Sequence, residues 1–461
     1  MTVHIQLPNS RRLQMVAAVA AVLATACVSS DRILSVEDPD IINPADVSSP
    51  AGANAVRIGA FARLNVATTG TTNGSDEGLF LLGGMLADEW INGDSFIDRQ
   101  AVDQRVIQPA NSFLTTADRA INRARLASMQ ATQLLKQFSS SAPGWEPAEM
   151  YLVEAFAENL MAEDYCNGLV FSSVVNGREE YGSPISDQTA FTIALAHVDS
   201  GLPMITGSTT DDLRVKYALQ VLRGRILLNM GQNRYAEAAT SVAGVPTSFT
   251  YQLLQSLTTA SNVIWSLNNS NRRYSVSSAE GTNGINFAAA NDPRLPVCQG
   301  GDATCKLNGV TQTSRDDLGK PFTVQLIWPT AASPVTIMSG IEARMIEAEA
   351  QQAAGDPAAA IATLNAARAT ITALTPLTDP GTPAAEVDQI FRERAFWFFS
   401  TGHRLGDLRR LIRQYQRSAD SVFPTGPWPK GGNYGSDVNI PVPQAELNNP
   451  NLPALCTDRN A

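Results

Sequence analysis

The sequence predicts a mainly α protein, in which paired helices stack into a hairpin scaffold and carry an irregular, loop-rich lobe with short strands. Three observations predict it. Alanine- and leucine-rich stretches with helical spacing recur along the chain, and two of these hairpins turn on glycines in a similar order. Residues 250–335 change character, with Ser, Thr, Asn and Gly separating isolated apolar residues and turn signals such as Asn283-Gly284 and Asp292-Pro293. Apolar residues at three- and four-residue spacing give a helix one stripe to bury, whereas a segment lacking that period reads as turns and loops.

In chain order, Arg11 and Arg12 precede an apolar run from Met15 to Ala26. It is long enough for the core of an export signal and shorter than the roughly 20 residues of a membrane span. The run ends in LATAC. Ala24-Thr25-Ala26 fits an ordinary cleavage site, and Leu23 to Cys27 resembles a lipobox with Ala24 where Leu is usual. Both readings cut the same bond, so residues 1–26 are expected to be a signal peptide. Five cysteines leave an odd thiol in an oxidising compartment, while lipid on Cys27 leaves four that can pair. Cys298 and Cys305 enclose a short polar loop and are the simplest pair, which leaves Cys166 for Cys456. Residues 27–50 are polar, punctuated by Pro39, Pro44 and Pro50, and read as a tether to a single domain over 51–461.

Helices are expected at Ala53–Leu64, Leu79–Trp90, Thr116–Phe138, Glu146–Tyr165, Asp211–Met230, Tyr235–Val242, Ile337–Ala353 and Pro357–Ala373. Gly224, Gly231, Tyr235, Ala238 and Pro246 follow the order small residue, glycine turn, aromatic, alanine, proline; Ala348, Gly355, Ala360 and Pro376 repeat the small-turn-small-proline order. Such hairpins resemble tetratricopeptide units, where small residues let paired helices approach and a glycine ends the first. The last hairpin is IFRERAFWFFSTGHRLGDLRRLI, residues 390–412. Phe391, Ala395, Phe398 and Phe399 share one face, and Gly402 suits a helix C-terminus. Leu405, Leu408, Leu411 and Ile412 mark the next stripe, with Asp407 placed to pair with Arg404 or Arg410. Thr323–Trp328 is the expected strand of the loop-rich span.

This C-terminal run resembles the "ER…GHR…DLRR" segment of the SusD/RagB family of outer-membrane, nutrient-binding lipoproteins. Glu393, Arg394, Gly402, His403, Arg404, Asp407, Leu408 and Arg410 stand at matching positions, and Trp397 and Thr401 stand where the family often has Glu. Ile440 to Leu452, IPVPQAELNNPNL, resembles the family's closing "IP…E…NPNL". The resemblance implies a tetratricopeptide-like scaffold with an irregular lobe, anchored by lipid to the outer membrane. It also implies an oligosaccharide or other nutrient as ligand, and a SusC-like TonB-dependent transporter as partner.

Composition and motifs argue against other classes. A net charge of −10 without a basic cluster opposes nucleic-acid binding. Of the three histidines, His4 lies in the signal, and His197 and His403 are far apart, so no histidine-rich metal site is expected; no cofactor is expected either. No G-x-S-x-G, H-E-x-x-H, C-x-x-C, P-loop or dinucleotide fingerprint occurs, which lowers the case for a hydrolase or other enzyme. Asp88 and Glu89 beside Trp90 offer two acids and a ring, as a glycosidase needs. Adjacent helical residues point apart, however, and a helix-end cap or solvent-facing charge is the expected role. Glycan binding without chemistry needs aromatic faces beside groups that read hydroxyls. Trp90, Asn92 and Asp94 supply both, as do Trp265, Asn268, Arg273 and Tyr274, and Trp428 offers a further ring. The competing role for each ring is core packing. A periplasmic tetratricopeptide scaffold that binds protein is the alternative function, and residues 250–335 separate the two, since a bare scaffold has no need of them.

Overall fold

The computed structural model describes residues 47–71, 76–175, 178–258, 260–278, 280–307, 310–312, 315–316 and 318–461. The expected signal peptide, Cys27 and most of the expected tether lie outside the described residues. The chain divides at Ser48/Ser49, and all elements named here belong to the unit Ser49–Ala461. Among the described residues, no helix is long and apolar enough to cross a membrane.

Among the described residues the helices of seven or more residues are α1 (Pro50–Thr69), α2 (Leu79–Leu86), α3 (Ile97–Asp103), α4 (Ser112–Phe138), α5 (Trp145–Asp164), α6 (Asp187–Gly201), α7 (Thr210–Met230), α8 (Tyr235–Val242), α9 (Gly340–Ala353), α10 (Pro357–Arg368), α11 (Pro383–Trp397) and α12 (Arg404–Tyr415). Neighbours in sequence pack as pairs, α4 with α5, α5 with α6, α7 with α8 and α9 with α10, while α8 also meets α9. This is the helical-hairpin scaffold that the periodicity predicts. Its ends are set by local chemistry. The Thr209 side chain and Asp212 form a reciprocal capping box at the start of α7, and the Ser339 hydroxyl accepts from the Glu342 N–H at the start of α9. Gly224 shows why small residues recur: a Cβ there would stand 2.8 Å from Val242 and 3.1 Å from Ile346, so α7 approaches α8 and α9 closely.

Several boundaries differ from expectation. Helix α6 has Ser186 as its N-cap, but Thr189, Thr192, Ile193 and Val198 give its sequence a β-branched look that hides it. Val335–Ser339 is a strand paired with Thr250–Leu253, so only Gly340 onward is helical. Helix α11 starts at Thr382-Pro383 and ends at Trp397, which leaves Phe398, Phe399 and Gly402 in the turn beyond it. Gly402 therefore does not cap that helix. It has a left-handed φ of 79°, and a Cβ there would run into the Phe80 ring.

The lobe is built from short antiparallel pairs. Trp90–Asn92 pairs with Tyr274–Val276, with Asn92 opposite Tyr274, and Thr323–Gln325 pairs with Val297–Gln299. The strand predicted to reach Trp328 thus stops at Gln325. A disulfide joins Cys298 to Cys305 beside that second pair, and another joins Cys166, just after α5, to Cys456.

Buried charge is the unusual feature of the scaffold. Helix α5 hides Glu149, Glu154, Glu158, Glu163 and Asp164, and α12 hides Arg404, Asp407, Arg409 and Arg410. Such groups persist in an interior only when partnered. Asp407 accepts from Arg394 at 2.8 Å through both oxygens and from Arg410 at 3.0 Å, whereas Arg404 turns away to Asp88. Arg410 also reaches Glu349 at 2.6 Å, and Arg409 reaches Asp187 at 2.7 Å. Burial alone would raise the Asp407 carboxyl, but Arg394 and Arg410 outweigh it and hold it down at about 2. The arginines of the "GHR…DLRR" run are thus structural staples.

Candidate glycan site

The segment after α2 turns the chain through a strand, a loop and α3, bringing most of the residues singled out above into one region. Along Trp90–Asn92 alternate side chains share a face, so Trp90 and Asn92 both point inward. Trp90 is fully buried. Its indole N–H donates to Ser400 Oγ at 2.9 Å and its ring packs 5.0 Å from Phe399. Neither Asp88 nor Glu89 is a solvent-facing charge or a helix-end cap. Asp88 takes both donors of Arg404, at 2.6 and 2.8 Å, and Glu89 accepts the Ser400 N–H at 2.8 Å. Burial pushes the Glu89 carboxyl up to about 8, with the Ser400 N–H pulling the other way. The two acids are spent on holding the turn around Ser400, whose backbone is left-handed.

Past the strand, Asn92 Oδ1 accepts the Asp94 N–H at 3.0 Å, and Asp94 Oδ1 accepts the Phe96 N–H at 2.7 Å. Asp94 Oδ2 holds Arg99 and Arg273, each at 2.6 Å. Tyr274 is buried, its hydroxyl donating to Glu77 at 2.7 Å. Asn268 is also buried, bridging the Tyr274 and Thr323 carbonyls and the Gln325 N–H. Trp428 closes the floor, donating to Asp103 Oδ2 at 3.1 Å with Lys430 Nζ 5.5 Å from its ring. Burial pushes the Asp103 carboxyl up to about 7 and pulls the Lys430 ammonium down; the two groups pull each other back toward the charged forms. Trp265 stands apart at the start of the Val263–Ser270 turn, half-buried, and its indole N–H has no hydrogen-bond partner among the described residues.

Three of the expected stacking platforms are therefore corrected, while Trp265 keeps part of its surface open. Trp90 and Tyr274 are 0% exposed and Trp428 is 7% exposed, so their faces belong to the protein interior. In this segment Phe96 is the exposed ring, at 54%, followed by Ile97 at 80%. Phe96 has the Arg99 and Arg273 guanidinium groups 5.0 and 5.6 Å from its centroid and Phe113 edge-on at 6.5 Å. Half-buried Gln100 and Arg273 border it. The Asn92-Gly93-Asp94 turn before it is readable from sequence, since Asn and Asp side chains bond backbone two residues on, but that turn does not set which way Phe96 faces. The surface combines an exposed apolar ring with amide and guanidinium groups packed beside it.

No protein-family profile and no curated relative matches this chain. Solved structures do. A SusD superfamily protein from Parabacteroides distasonis superposes with a TM-score of 0.64 at 14% identity, over 87% of this chain and 98% of that one. The fold is SusD-like. A SusD-like carbohydrate binding protein from Bacteroides vulgatus shares it at a TM-score of 0.59 and 13% identity, over 89% of this chain and 98% of that one. So does surface glycan-binding protein A from Bacteroides thetaiotaomicron, solved with laminarihexaose, at 0.58 and 13%, over 87% of this chain and 97% of that one. Within the SusD-like fold, the tetratricopeptide-like hairpins are the scaffold and the lobe carries the Phe96 surface.

Proposed function

We propose that this chain binds an oligosaccharide without altering it, seating a sugar ring on Phe96 beside Arg273 and Gln100. The observation that carries the reading is a half-exposed aromatic ring packed with guanidinium and amide groups, on a fold shared with a protein solved with laminarihexaose bound. A glycan array followed by calorimetry tests it. Phe96→Ala is expected to weaken the best glycan by roughly 1–3 kcal/mol, or about 5- to 150-fold, with folding unchanged. Tight binding of a peptide with no carbohydrate signal would favour the scaffold alternative instead.

The finer reading is that lipid on Cys27 holds the protein at the outer membrane, where it hands its ligand to a TonB-dependent transporter. The export signal, the resemblance of the C-terminal motifs and the broad surface of a helical-repeat scaffold support it. Purification in mild detergent through a C-terminal tag is expected to recover a barrel protein in near-equal amount. Recovery of the chain alone, with normal growth on its glycan after loss of the transporter, would defeat this part.

A further inference from the structure

Away from the glycan surface, α5 carries Glu154 and Glu158 one turn apart, and His197 of α6 lies against both. His197 Nδ1 is 2.7 Å from Glu158 Oε2 and its Nε2 is 3.6 Å from Glu154 Oε1. One ligand atom from each residue lies within 4.8 Å of the other two. Both carboxylates are buried, and the second oxygen of Glu158 is enclosed with no hydrogen-bond partner, Arg125 Nη1 standing 3.9 Å away. Two buried carboxylates so placed repel each other and have lost their water, a cost that a cation shared between them relieves. Nearby side-chain cations offset this charge only in part, Arg125 through its long ion pair with Glu158. Arg125 donates to the Ser172 carbonyl, and Lys136 donates to the Tyr151 hydroxyl at 2.8 Å.

We propose that Glu154, Glu158 and His197 form a binding site for one divalent transition metal, tying α5 to α6. Two carboxylates balance a doubly charged ion, and one imidazole turns preference toward zinc, manganese or nickel over calcium, which takes six to eight oxygens. The His197 side chain is 27% exposed, which leaves the ion a path in and positions for water. Two histidines distant in sequence gave no hint of this, because the missing ligands are carboxylates on a neighbouring helix.

Calorimetry of the chelator-treated full chain with zinc and manganese chloride is expected to give one ion per chain, with calcium weaker. Glu154→Gln and His197→Gln should each weaken binding by more than about 10-fold. Should either variant misfold, manganese added to histidine-labelled wild type supplies the test: the His197 resonances should broaden away as one equivalent of ion is added. Absence of saturable binding, undiminished binding by folded His197→Gln, tighter binding of calcium than of zinc, or sharp His197 signals would overturn the site.

Discussion

Asp407→Ala is expected to lose about 3–5 kcal/mol of stability, because it strands Arg394 and Arg410 in the interior without their shared carboxylate. That is a large fraction of what a folded chain has in reserve, so soluble yield should fall as well. Denaturant unfolding of the purified variant measures it. A loss under about 1 kcal/mol would mean that water or Glu349 takes over the arginines and that the network is dispensable. The sign of the pH effect is fixed. The folded-state value of about 2 lies below the ordinary value of 3.8, so the stabilisation is fully present above 3.8 and is lost only as pH falls through about 2. The staple should therefore survive mild acid.

Trp90→Ala is expected to cost a similar ~3–5 kcal/mol, since it removes a fully buried ring packed on Phe399 and the donor to Ser400. The informative part is the contrast with Phe96→Ala. Trp90→Ala protein that still folds should keep its glycan affinity, whereas Phe96→Ala protein should keep its stability and lose affinity. Calorimetry and thermal melts on the same two preparations would show it. A stable Trp90→Ala protein that no longer binds glycan would return Trp90 to the ligand surface.

The scaffold was legible because helix periodicity, capping residues and close-packed glycines are local signals. Gly224 and Gly231 were placed from their neighbours alone, as the small residue and the turn of one hairpin. What periodicity does not carry is which way a loop residue faces. Trp90 and Phe96 lie six positions apart in a turn-rich segment, and only the pairing of Asn92 with Tyr274 decides that the first is core and the second surface. Partners of buried charge were hidden for the same reason. Asp407 has Arg404 and Arg410 at helical spacing, yet Arg404 is claimed by Asp88, 316 residues away, and Arg394 replaces it. The four paired cysteines are different: with few possible connectivities, counting narrowed the answer before any geometry.

The Cys166–Cys456 bond spans 290 residues and encloses the local Cys298–Cys305 bridge. Wherever the chain is oxidised as it emerges, Cys166 must wait as a free thiol while almost every later residue appears, and Cys298 arrives first. An early oxidant would join those two and trap the lobe against the wrong helix. Nearness favours Cys298 closing on Cys305, only seven residues on, which removes the competitor before Cys456 arrives. The small loop thus acts as a timer for the large one: a Cys305→Ser chain should accumulate Cys166–Cys298 linkage during oxidative folding, even though the bond it deletes lies in the lobe, away from α5.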